Sequence, residues 1–186
     1  YVYRNSPDEL YLYFLNMGVY SLNLRTRSIT KVIASMSGEE QIRAMARDAE
    51  NHLWIAEDDL SYWDEKTQKL DRNLSTNYNA TTRYMLTQDI LRHGDDMIVG
   101  VRTNGLWIFR HQPENPEHYF KGERTTFEEL NDKNISVLYE DHAKNIWIGT
   151  YDNGLYKCNL EKQEIHHYNK DNGLVHNSIC AILEDR

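Results

Sequence analysis

At 186 residues, with 40% apolar and 11% aromatic side chains, the chain is long enough to bury a sizeable core. Asp and Glu number 29 against 21 Lys and Arg, a formal charge of −8, and no basic cluster offsets it, which excludes a nucleic-acid partner and direct contact with an anionic membrane surface. No signal-peptide, membrane-spanning or lipidation pattern is present, and because the chain opens on Tyr1 and stops at Asp185-Arg186 inside a recurring motif, it is expected to be part of a longer protein.

Residues 10–33 hold three strand-like runs: LYLYF, GVYSLNL after an Asn16-Met17-Gly18 turn, and SITKVI. No Asp-bearing strand precedes them, so residues 1–38 are expected to form a partial unit. The next stretch, SMSGEEQIRAMARDAEN, carries two competing signals. Ser37 as a cap, with Ile42, Met45 and Ala49 at helical spacing, favours a helix. Yet Ile42 to Asp48 matches Ile135 to Asp141 position by position, and the register predicts a strand, since tertiary stacking overrides weak propensity.

A unit over residues 39–80 continues through HLWIAEDDLSYWDEKTQKL, whose acidic turn is Glu57-Asp58-Asp59. A third unit, 81–130, opens on the weak strand MLTQDIL, where Arg92 replaces the expected Asp and the second strand has no Trp. Its tail, HQPENPEHYFKGERTTFEEL, contains two of the three prolines and reads as an irregular loop after the third strand. The fourth unit, 131–172, is the best formed: ISVLYE alternates, Asp141 to Asn145 is a polar break, IWIGT is apolar, YDNG is a turn and LYKCN a third run. NGLVHNSICAILED then opens a fifth unit over 173–186, as its first strand.

These runs recur. Asp48 precedes Trp54 by six positions, as Asp141 precedes Trp147, and the two tryptophans lie 93 residues apart. Gly100 and Gly149, and likewise Gly105 and Gly154, are 49 apart, while Asp185 follows Asp141 by 44. A period in the mid-forties with four strands per unit predicts an all-β propeller of about four blades, each of four antiparallel strands. In such stacking Trp54 and Trp147 wedge between neighbouring sheets. Gly105 and Gly154 allow a positive backbone angle, Gly100 and Gly149 allow close approach, and Asp48, Asp141 and Asp185 accept hydrogen bonds from the following turn. A ring of four closes if residues 178–184 complete the first unit; a share of a larger ring is preferred.

The residues NISVLYEDHAKNIWIGTYDNGL, followed by GLVHNSICAILED, resemble the two-component regulator propeller repeat, whose pattern runs N-x-I-x-x-I-x-x-D, then G-N-x-W-I-G-T, then G-G-L. The resemblance covers residues 10–186 and is clearest in the fourth unit. Ala143-Lys144 and Ala56-Glu57 depart from it. It implies the sensor region of a hybrid two-component regulator of the kind found in gut Bacteroidetes, with a propeller of about seven blades in the periplasm. In that family an immunoglobulin-like domain, a membrane helix, a histidine kinase and response-regulator modules follow, and glycan fragments are commonly sensed.

Catalytic spacing is absent: there is no GxSxG, HExxH, Walker loop or CxxC pair, and no cofactor is implied. His166 and His167 point to opposite faces of one strand and cannot share a metal. The Glu57-Asp58-Asp59 turn reads as a solvated acidic loop ahead of a calcium site, so no metal is expected. Cys158 and Cys180 read as small buried hydrophobes in strands ahead of a disulfide. In a propeller, the turns between second and third strands and the connectors into the next blade share one face. That face holds the candidate ligand contacts Arg102, Thr103, Asn104, Tyr151, Asp152, Asn153, His176 and Asn177, whose amide, carboxylate, guanidinium and aromatic groups suit a sugar. The same residue types are also ordinary turn formers. A glycan-sensing receptor segment leads the functional expectations, with a protein-interaction or dimerisation scaffold, or a propeller enzyme, as competitors.

Overall fold

The computed structural model describes residues 1–34, 41–57, 60–71, 86–114 and 120–185. Every strand pairs with its sequence neighbour, because short connections leave antiparallel hairpins as the direct solution. The first sheet is β1 Val2–Ser6, β2 Glu9–Phe14, β3 Gly18–Asn23 and β4 Ile29–Ile33; the second is β5 Ala44–Arg47, β6 Leu53–Ala56, β7 Leu60–Asp64 and β8 Lys69–Asp71. The third is β9 Thr87–His93, β10 Asp96–Val101, β11 Gly105–His111 and β12 Phe120–Arg124; the fourth is β13 Ile135–Glu140, β14 Ile146–Thr150, β15 Leu155–Asn159 and β16 Glu164–Tyr168. The first strands β1, β5, β9 and β13 lie beside one another in turn, so the four sheets stack as propeller blades converging on those strands.

Period-two alternation divides each second strand between two junctions. In β6, Leu53 and Ile55 pack back onto Tyr11, Val19 and Ile33 of the first sheet, while Trp54 and Ala56 pack forward onto Met97, Val99, Phe109 and Phe120 of the third. In β10 the forward residue is Ile98, which joins Ile135, Leu138, Ile146 and Ile148 of the fourth sheet. Trp54 is fully buried, with its ring edge-on to Phe109 at 5.3 Å and Phe120 at 4.8 Å between centroids. Trp147 holds the same position in β14 but is only half-buried, stacked at 6.1 Å on Tyr168 with Lys157 Nζ 5.0 Å from its centroid. The repeat thus places both rings alike, and among the described residues it is Trp54 that a following sheet covers.

The glycine roles follow the expectation. Gly105 and Gly154 have φ of +72° and +86°, and a Cβ on them would strike the carbonyl oxygens of Leu130 and Tyr168. Gly100 sits where the third and fourth sheets converge, and an added Cβ would lie 2.5 Å from Ile135 Cγ2. The register reading of residues 42–48 also holds, with β5 a strand paired to β6.

Several expectations are corrected. The first unit is complete: Val2–Ser6 forms its inner strand, closed onto β2 by a tight turn at Pro7-Asp8. Because β1 fills that place, residues 178–184 do not close a ring of four. The tail after β11 is more than a loop, since Phe120–Arg124 pairs with β11 as a fourth strand. Residues 173–185 form no strand; they run along the fourth sheet, where Ile179 N–H donates to Thr150 O (2.8 Å) and Ser136 Oγ–H to Ile179 O (2.5 Å). Cys180 is exposed, Cys158 is buried, and both are free thiols. No described helix is long and apolar enough to cross a membrane.

Burial predicts unequal costs for the matched tryptophans. Trp54→Ala is expected to lower unfolding free energy by about 3–5 kcal/mol, and Trp147→Ala by about half of that or less. Urea unfolding of the two variants checks this, and equal losses contradict it.

Candidate functional site

The Asp-x5-Trp spacing has a direct geometric cause. Asp48 follows β5, and its Oδ1 accepts the N–H groups of Glu50 and His52, both at 2.9 Å, which shapes the hairpin turn. Its Oδ2 accepts Trp54 Nε1–H at 2.8 Å and lies 3.0 Å from His52 Nδ1. Asp141 repeats this, with Oδ1 accepting Asn145 N–H (2.8 Å) and Oδ2 accepting Trp147 Nε1–H (2.9 Å). Burial pushes the Asp48 carboxyl up, but hydrogen bonds from His52 and Trp54 outweigh it and hold the group below its ordinary range. The same balance, with Asn145 as chief donor, sets Asp141 at about 2. Both carboxylates are structural. Asp185, third in the spacing, is exposed.

The turns between second and third strands are stitched to the connectors on one face, hereafter the turn face. Gly105 N–H donates to Lys133 O (3.1 Å), Tyr151 N–H to Asn134 O (2.9 Å) and Gly154 N–H to Asn177 O (2.7 Å). Of the candidate residues, the fold brings Arg102 and Tyr151 together across the third and fourth sheets, with the guanidinium carbon 5.8 Å from the ring centroid. Tyr151 O–H donates to Gln88 Oε1 at 3.0 Å, which fixes the ring. Thr103 has φ of +66° at its turn. Asn104 accepts from Arg124, and Asp152 accepts Asn134 Nδ2–H at 2.8 Å. Asn153 Oδ1 accepts Tyr156 O–H (2.6 Å), and Asn177 Oδ1 accepts Lys170 N–H (2.8 Å), so these two amides serve the turns. His176 is exposed and its Nδ1 accepts Ser178 N–H at 3.0 Å.

Among the described residues no group of three or more His, Cys, Asp and Glu is arranged to hold a metal. Asp58 and Asp59 of the acidic turn lie outside the described residues, and Glu57 is buried. His166 is exposed, while His167 stacks on Tyr156 at 4.2 Å, so the two imidazoles do point apart.

Two cavities were not revealed by spacing, the first of them on the opposite face, where the first-to-second-strand hairpins emerge. One, of ≈ 540 Å³, lies between the third and fourth sheets, walled by His93, Asp96, Arg110 and His111 on one side and Leu160 and Glu161 on the other. The second, of ≈ 250 Å³, is a mostly apolar groove beside Trp147, Leu155 and Ile182. Those residues come from separate strand ends with no local motif. The one available signal was the recurrence of His and Asp at the ends of β9, β10 and β11.

With this geometry in hand, comparison with known proteins gives a consistent result. Residues 129–152, spanning β13, β14 and the turn after it, match the family model described as two component regulator propeller. No curated protein matches the chain. Among solved structures, the extracellular domain assigned to the hybrid two component system BT3049 of B. thetaiotaomicron superposes with a TM-score of 0.70 at 18% identity, over 97% of this chain and 24% of that one. The extracellular domain assigned to the one component system BT4673 of the same organism gives 0.68 at 20% identity, over 97% and 24%. Virginiamycin B lyase from Staphylococcus aureus gives 0.65 at 10% identity, over 95% and 56%. The chain is therefore a set of β-propeller blades, the fourth of which carries a two component regulator propeller repeat. It spans about a quarter of the length of the two extracellular domains it resembles.

Asp89 supplies a pH signature for the junction of the third and fourth sheets. It accepts Leu138 N–H from β13 at 2.7 Å and Ile90 N–H at 2.9 Å. Burial raises its carboxyl from 3.8 to about 6, against the pull of those two hydrogen bonds. A raised carboxyl contributes stability below its unfolded value and loses it as pH rises through the folded value. Asp89→Asn is therefore expected to gain about 1–3 kcal/mol on the parent between pH 4 and 7. Urea unfolding at both pH values checks this; parallel pH profiles contradict it.

Proposed function

We propose that this chain is the ligand-sensing propeller segment of an extracytoplasmic receptor in a hybrid two-component system, which binds glycan fragments in the periplasm and signals to transcription. The observation that carries the reading is the two component regulator propeller repeat at residues 129–152, lying on the best-formed blade. The likeness in fold to two extracellular domains of B. thetaiotaomicron supports it. In this reading the segment binds without catalysis, an oligosaccharide is its ligand, and further blades and downstream signalling domains of the same protein are its partners. Candidate contacts on the turn face are the exposed Arg102, Thr103, Tyr151, Asp152 and His176, with Asn104, Asn153 and Asn177 behind them.

A second reading is a dimerisation or protein-interaction scaffold. Light scattering separates the two, since ligand-independent association belongs to the scaffold.

The sensor reading is tested in the intact receptor with a transcriptional reporter and an oligosaccharide library. One glycan class is expected to switch the reporter, and Arg102→Gln or Tyr151→Ala to raise the concentration needed about tenfold. A folded receptor that leaves the reporter silent across the library contradicts it.

A further inference from the structure

The face opposite the turns, hereafter the hairpin face, carries a contact that recurs from blade to blade. His93 ends β9, and its Nδ1 lies 2.6 Å from Oε2 of Glu140 at the end of β13, across the junction of the third and fourth sheets. His142 follows His93 by 49 residues, the spacing of Gly100 and Gly149, and Glu184 follows Glu140 by 44, the spacing of Asp141 and Asp185. His142 Nδ1 is again 2.6 Å from Glu184 Oε2. The segment holding Glu184 is seated on the fourth sheet as β13 is on the third, since a Cβ on Gly149 would meet Ile179 Cγ2 just as one on Gly100 would meet Ile135 Cγ2. A third bridge, His111 Nε2 to Glu50 Oε1 at 2.9 Å, crosses the junction of the second and third sheets.

The first junction is built differently. There Arg47 of β5 donates from Nε to Asn5 Oδ1 at 2.7 Å and from Nη2 to the Tyr11 hydroxyl at 2.8 Å. A guanidinium keeps its charge throughout, whereas an imidazole changes charge between pH 5 and 8.

The surroundings of the three histidines are acidic. Asp95, Asp96 and Arg110 of its own sheet and Glu161 of the fourth stand around His93 at the hairpin-face cavity, and Lys144 Nζ reaches the other oxygen of Glu140 at 2.5 Å. His111 shares that wall and packs on Phe120, while its partner Glu50 sits in the turn that holds Asp48 and His52. His142 has Asp141 beside it in the chain, and Tyr139 O–H donates to Glu184 Oε2 at 3.2 Å. Carboxylates outnumber cations among these groups at each bridge, which favours a positive charge there. Glu184 holds the His142 imidazole above its ordinary range, and His142 holds the Glu184 carboxyl below its own. Burial pushes the Glu140 carboxyl up, but hydrogen bonds from Lys144 and His93 outweigh it.

We propose that these histidine–carboxylate bridges form a pH-set clamp: in mild acid each imidazole takes a proton from solvent, its hydrogen bond becomes an ion pair, and the hairpin face tightens from the second sheet onward, while the Arg47 junction is unchanged. The inference stands on this repeated geometry and does not rest on the sensor reading. An imidazolium paired in the fold contributes stability that is complete below its unfolded value, about 6.5, and is lost as pH rises through the folded one.

The test is a double-mutant cycle of His93→Gln and Glu140→Gln in the full chain, read by urea unfolding at pH 5.5 and 8.0. Asp89 is present in all four proteins, so its own titration cancels. The His93–Glu140 coupling, as an equilibrium constant, is expected to be about three- to tenfold larger at the lower pH, and the Arg47–Asn5 coupling, from Arg47→Gln and Asn5→Ala, to agree within about twofold at both. Equal His93–Glu140 coupling at the two pH values, or the same pH dependence in the Arg47–Asn5 pair, overturns the proposal. NMR titration of the His142 ring gives a second readout with a substitution outside the strands: its midpoint is expected to fall in Glu184→Gln, and a midpoint that stays in place overturns the clamp as well.

Discussion

A carboxylate that catches an indole six residues further on is the contact on which the stacking of these sheets depends. Asp48 and Asp141 each close their own hairpin turn with one oxygen and hold a tryptophan N–H with the other. An indole buried between sheets must satisfy its single donor, and a short side chain at the end of the preceding strand reaches it without disturbing either ladder. The ring is thereby aimed at the next sheet. At the junction of the second and third sheets, Phe109 and Phe120 receive it edge-on.

The third sheet shows the same logic by exception. Its second strand has Ile98 where the second and fourth sheets have Trp, and its first strand has Arg92 where they have Asp. With no indole donor there is nothing for the carboxylate to satisfy, and both members change together. Arg92 turns outward instead, donating to Gly94 O at 2.8 Å and to Asp48 O at 3.4 Å. Ile98 fills the forward position by packing alone, and the convergence of sheets there relies on Gly100 and on Asp89, which takes Leu138 N–H from the neighbouring blade. Blades of one architecture are thus joined by two kinds of junction, one fixed by an aromatic wedge and the other by a close backbone approach.

Much of this architecture was legible because a few residues admit only one use at their spacing. The positive φ at Gly105 and Gly154, the close contacts of Gly100 and Gly149, and the Asp and Trp pairs all carry their geometry in their side chains or lack of them. Strands without such marks were harder to see. Val2–Ser6 ends in Ser6 where the pattern looks for Asp, and Phe120–Arg124 sits in a proline-bearing stretch, so pairing with β2 and β11 decides both. The turn-face candidates were legible as turn formers, and Asn153 and Asn177 indeed serve that role. The hairpin-face cavity was not, since His93, Arg110 and Glu161 meet only through stacking of two sheets.

The most direct measurement of the stacking account is hydrogen exchange of the Trp54 indole proton by NMR. The account predicts that it exchanges as slowly as the best-protected amides of β10, so that release requires the second and third sheets to separate. Exchange of that proton at the rate of an exposed indole, while the β10 amides stay protected, would contradict it.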